Sequence, residues 1–265
     1  MGPGGPQIAT PTATSDNLKE LPRYSVINNG FQMPPAETSN QTNPLTNALL
    51  LAATGGLLDA VVFLNHGHVF ANAMSGNVVF LGIAAVSRDW GQIIPHLVPI
   101  GGFLVGVTTS KQVRYRLSEH SVLLLGLAAE SLALFALGWL PADFPDMAFT
   151  AIIAFVSAFQ AASYRHVGSF SYNSTFVTGN LRDTVEGVCD AISSTANPEA
   201  RERGLAKAVD LGSICLCFLA GAILGASAAP RFYNHSLWLA EPFLLAVLLQ
   251  AFRRGAQLPP SPLKS

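Results

Sequence analysis

From Leu45 onward the chain alternates long apolar stretches with short polar breaks. Six of these stretches are long enough as helices to cross about 30 Å of hydrocarbon: Leu45–Leu64, Ile93–Thr109, Ser121–Leu140, Met147–Tyr164, Ala208–Ala229 and Leu237–Phe252. Two further segments, Asn77–Ser87 and Asn180–Ser194, read as short helices. The first soon meets Arg88 and Asp89; the second carries Arg182, Asp183, Glu186 and Asp190, which are costly against lipid. The pattern predicts an all-α integral membrane protein with six transmembrane helices. Residues 1–43 differ: prolines lie among Ser, Thr, Asn and Gln with no apolar periodicity, so this tail is expected to be disordered. A membrane domain over 44–252 and a short C-terminal tail over 253–265 complete the division.

The basic residues favour six crossings over eight. With the N-terminus inside, only Arg88 and Arg231 of the fifteen Lys and Arg residues fall on the outer side, as the positive-inside rule requires. Both termini are then cytoplasmic, and the membrane concerned is not specified. If both short helices also crossed, Arg182 would be stranded in the bilayer.

Composition agrees. Charged residues make up 12% of the chain and mean hydropathy is +0.38, whereas soluble domains carry about 25% charged residues. The lipid bilayer is therefore an obligatory partner. Sixteen acidic residues nearly cancel fifteen basic ones, which excludes a nucleic-acid footprint. Three cysteines build neither a disulfide framework nor a zinc site. No motif calls for a cofactor or a resident metal, and whether the chain is a homo-oligomer stays open.

The chain repeats itself. Gly55-Gly56-Leu57-Leu58-Asp59-Ala60 in the first span precedes Met74-Ser75-Gly76-Asn77. Ser157-Ala158-Phe159-Gln160-Ala161-Ala162 in the fourth precedes Val177-Thr178-Gly179-Asn180. Each half continues with a short helix and a glycine pair, Gly102 with Gly106 and Gly221 with Gly225. An Arg-aromatic pair and a His-Ser step then lead into its last span. Three spans per half is an odd number, so repeats over about 45–140 and 147–252 would lie in opposite orientations, a plan common among secondary transporters. The short helices would then dip toward the midplane from opposite sides.

Gly55-x-x-x-Asp59-Ala60 with Phe70-x-x-x-Met74-Ser75-Gly76-Asn77 resembles the opening signature of the YoaK-like family (DUF1275, UPF0700). Gln160-Ala161 and Val177-Thr178-Gly179-Asn180 resemble its second signature. The resemblance covers about residues 45–252 and implies a six-span membrane protein; it brings no substrate or catalytic residue.

Candidate chemistry rests on the residues themselves. Asp59 lies mid-span, where a charge is expensive and therefore points to a proton or cation site, or to packing held by hydrogen bonds. Glu130 carries the same logic in the third span. Ser75, Gly76 and Asn77, with Thr178, Gly179 and Asn180, suit capping of the two short helices or binding of a polar group at their N-termini. Asp59 and Gln160 would face one another across the site. The resulting expectation is a small-molecule or ion transporter with a polar site between inverted halves. The alternatives are an intramembrane enzyme using Asp59 or Glu130 as acid or base, and a non-catalytic scaffold; an enzyme is the less favoured class.

Overall fold

The computed structural model describes residues 44–163, 166–167, 170–171, 177–193 and 197–255. The N-terminal tail and most of the C-terminal tail lie outside them, as does Tyr164. The described chain is almost wholly helical: α1 (Pro44–Asn65), α2 (Met74–Ser87), α3 (Trp90–Arg114), α4 (Glu119–Gly138), α5 (Asp146–Ser163), α6 (Val177–Ser193), α7 (Pro198–Phe232) and α8 (Glu241–Gly255). A 3-10 helix, Tyr233–Leu239, joins the last two, and His166–Val167 pairs antiparallel with Phe170–Ser171. By length and apolarity, α1, α3, α4, α5 and the continuous run Pro198–Arg253 qualify as membrane-crossing elements. That run spans 56 residues, about 84 Å as one helix, but Pro230 and the left-handed Tyr233 (φ 48°) break it.

Helix α7 starts ten residues before the apolar stretch that announces it. Asn197 accepts from the Ala200 amide at 3.2 Å, Pro198 occupies the first turn, and Glu199 follows; each favours a helix start. The added turns are polar outside and pack on α6 through Gly187 and Gly204, whose backbones touch.

Close packing organises the bundle. Gly221 and Gly225 of α7 lie on the backbones of Ala53 and Leu57 in α1, and Gly102 and Gly106 of α3 lie on Ala151 and Phe155 in α5. Small residues let helices approach where lipid removes the hydrophobic drive to associate. Helix α2 packs on α3, α6 on α7, α4 on α5, and α8 on both α4 and α1. The main core lies among α1, α4, α5, α8 and the 3-10 helix, around Leu57, Leu58, Leu127, Phe149, Ile153 and Leu244. The perimeter is apolar and unburied, as at Leu132 and Leu216, which suits lipid contact.

Gly221→Ala tests the glycine contacts. Its Cβ would overlap the Ala53 carbonyl, whereas one at Gly101 would meet nothing. Gly221→Ala should cost about 1–3 kcal/mol through overpacking and lower the melting temperature. Gly101→Ala should be neutral or slightly stabilising, because Gly weakens helix interiors. Equal melting of the two variants would refute the close approach.

Polar contacts gather helix ends. The C-terminal ends of α1 and α4, the N-terminal end of α5 and the 3-10 helix meet around His66, Asp146 and Asn234. The C-terminal ends of α3 and α5 meet elsewhere: Arg114 donates to the Ala162 carbonyl, and the Ser110 and Ser163 hydroxyls pair at 3.1 Å.

Candidate functional site

Asp59 sits six residues from the end of α1 and is 5% exposed. The loop after α1 turns back so that the backbone N–H groups of Asn72 and Ala73 both donate to its Oδ1, at 2.6 and 3.4 Å. Those residues immediately precede α2, whose N-cap position is Ala73 with no side-chain cap of its own. A carboxylate from α1 thus accepts from the two backbone N–H groups that lead into α2, near the helix end where negative charge is favoured. Asp59 Oδ2 is buried and has no partner among the described residues.

The same loop is held by Asn77. Its Oδ1 accepts from the Phe70 amide at 2.9 Å and its Nδ2 donates to the Phe70 carbonyl at 2.8 Å. The side chain imitates a neighbouring strand, satisfying both backbone groups of one residue where water is absent. Gly76 lies against the Phe70 ring, which leaves no room for a Cβ.

Asp59 lines a cavity of about 700 Å³. The starts of α2 (Met74, Ser75) and α6 (Val177, Thr178) both border it, with Phe63, Phe70, Phe103 and Phe218 in its walls. Three sequence candidates, Asp59, Ser75 and Thr178, therefore share one space. The others do not line it. Gln160 is buried in α5 with its Cα against Gly126 of α4, so the expected facing of Asp59 and Gln160 is not found. Asn77 is spent on the loop, and Asn180 is buried in α6. Gly179 lies in the first turn of α6 without reaching the cavity wall.

The capping assignment also changes. Ser75 is the second residue of α2 rather than its cap; the N-cap position is Ala73, and Asp59 from another helix accepts from the backbone just before α2. Thr178 is likewise the second residue of α6; the residue before that helix lies outside the described ones. The sequence signal that was available is Asp59 itself: an acid within a span, followed by a short loop able to fold back on it.

A family model described as "Protein of unknown function (DUF1275)" matches residues 47–250. The chain belongs to the DUF1275 family. It is also similar to the UPF0700 transmembrane protein YoaK of Bacillus subtilis (strain 168), with 24% identity over 208 residues, 76% of this chain and 91% of that relative. No solved structure matches. With its apolar helices, this DUF1275 member is a multi-pass integral membrane protein.

Glu130 forms a separate centre in the DUF1275 bundle. It is 2% exposed and accepts from the Ser157 hydroxyl at 2.8 Å, which joins α4 to α5. The adjacent Ser131 donates to Glu241 at the start of α8. Neither carboxylate borders the Asp59 cavity.

A buried histidine outside the candidate set ties three elements of the bundle together. His66 is buried, stacked on Phe149, and paired through Nδ1 with Asp146 at 2.7 Å and through Nε2 with the Asn234 Oδ1 at 2.8 Å. Asn234 Nδ2 donates to the Leu140 carbonyl at 3.0 Å. In the folded protein the amide of the sequon Asn234-His235-Ser236 is thus committed internally. Among the described residues no group of three or more ligands suits a metal.

Proposed function

We propose that the protein transports a small molecule or ion, through six spans arranged as two inverted halves with both termini cytoplasmic. The observation that carries this reading is the cavity in which Asp59 meets the starts of both short helices. Secondary transporters place substrates where interrupted helices begin near the midplane.

The packing supports the inverted arrangement. Exchange α1, α2, α3 and α4 for α5, α6, α7 and α8, and α1 on α7 becomes α5 on α3, α2 on α3 becomes α6 on α7, and α4 on α5 becomes α8 on α1. The glycine contacts exchange with them. Direction supports it too: α1 ends beside the start of α5, and α4 ends beside the start of the 3-10 helix leading to α8. Both placements are those expected if α1 and α5, and α4 and α8, run oppositely. The break in the fifth qualifying run at Tyr233, between α7 and α8, supports reading that run as two crossings. Exposed Val79, Ile83 and Val86 suit a short α2 immersed in lipid instead of water.

Two measurements test the reading without knowledge of the substrate. A reporter active only in the cytoplasm, fused after Ser265, should give signal; silence there overturns the topology. In a background without Cys189, Cys215 and Cys217, Ser75→Cys should react with an impermeant thiol reagent applied to either face of sealed vesicles. Reaction from neither face, or from one face alone, refutes alternating access.

A further inference from the structure

The proposed transport site also carries information about what it holds. Its walls are apolar, with four phenylalanines, and Phe63 stacks on Phe70 at 4.9 Å between centroids. Among the described residues no Lys, Arg or His side chain borders the cavity, while one carboxylate does. That carboxylate is fixed by two backbone N–H groups at Oδ1, so its orientation costs a ligand nothing further. Its second oxygen is buried, faces no partner among the described residues, and belongs to a side chain lining the cavity.

A buried oxygen of a carboxylate is expensive to leave without a donor. Three chemistries would complete it: an ammonium, a neutral hydroxyl or amide, or a bound proton. An anion would meet Asp59 with like charge and no cationic side chain to offset it. The two backbone N–H groups just before α2, of Asn72 and Ala73, are already taken by Asp59. Aromatic faces attract organic cations, and about 700 Å³ lies in the range of sites for drug-sized ligands.

We infer that the cavity binds an organic ammonium ion with an apolar, preferably aromatic, body, the ammonium donating to Asp59 Oδ2 and the body lying among Phe63, Phe70, Phe103 and Phe218. This rests on the transport reading only for its physiological use; binding itself is independent of movement across the membrane.

The test uses the full chain in lipid nanodiscs and three probes of one shape: 2-phenylethylammonium, 2-phenylethanol and 3-phenylpropionate, titrated calorimetrically near neutral pH. The ammonium should bind about tenfold or more tighter than the alcohol, since charge-assisted hydrogen bonds exceed neutral ones, and the carboxylate should bind weakest. Asp59→Asn should bring ammonium and alcohol to similar affinity. If that variant does not fold, Asp59→Glu, which keeps the charge but moves it one methylene, should alter the ammonium-to-alcohol ratio. Equal or tighter binding of the alcohol or the carboxylate overturns the inference, as does no ammonium binding at millimolar concentration. Uptake of the same probes into proteoliposomes separates the two claims. Ammonium that binds but is never moved refutes transport and leaves the ligand class standing.

Discussion

His66→Leu should destabilise the protein by about 2–4 kcal/mol, seen as a melting temperature lower by about 5–15 °C in detergent or nanodiscs. Both ring nitrogens face oxygens, one on Asp146 and one on Asn234. The amide of Asn234 cannot be turned to relieve this, because its Nδ2 donates to the Leu140 and Pro141 carbonyls. The ring therefore donates to Asn234 through Nε2, and it links α1, α5 and the 3-10 helix. Leucine fills much of the space but strands the Asn234 oxygen, whose side chain is 2% exposed. Asp146, with half its side chain in contact with solvent, rehydrates and contributes less. Asn234→Asp should be nearly as damaging despite its matching size, since an oxygen would then oppose the two carbonyls. Variants that melt with the wild type would mean that the trio is a surface pairing of little weight.

How much of this was legible depends on sequence distance. Helical spans follow from local apolarity, and the glycine pairs of α3 and α7 reveal themselves by spacing, which is why both were readable. The apolar stretch of α7 reads short because Arg201, Arg203 and Lys207 depress the hydropathy of its first turns, although Asn197 and Pro198 mark its start. Asp59 was recognisable as inward-facing because a mid-span acid has few other places to go. What it does there was not. Its partners are backbone groups of a returning loop, and no residue type announces a backbone donor. Gln160 shows the limit of motif matching: each residue turns a helix by about 100°, so a register offset of one or two moves a side chain from the cavity to the α4 contact. The His66 trio joins positions 80 and 168 residues apart. Each member has an innocent local explanation, as a loop histidine, a first-turn acid and a sequon asparagine.

Asp59→Ala and Asp59→Asn should part company, and the difference assigns the residue's two oxygens. Asp59 lies about 9 Å from the end of α1 at 1.5 Å per residue, and it is buried. Alanine leaves the Asn72 and Ala73 N–H groups without their acceptor at the start of α2. Each buried unsatisfied group costs about 1–3 kcal/mol. The Ala variant should therefore be produced poorly and melt well below wild type, with the loop around Phe70 becoming open to proteolysis. Asparagine keeps an acceptor at Oδ1, so its melting temperature should stay within a few degrees of wild type. What asparagine loses is the charge and the second carboxylate oxygen, and with them, under the inferred ligand class, the preference for a cation. One oxygen of the carboxylate thus holds the loop before α2, and the other is the one assigned to the inferred ligand. Should Asp59→Ala prove as stable as wild type, the α2 terminus must be satisfied by something else, and Asp59 would then owe its burial to the cavity alone.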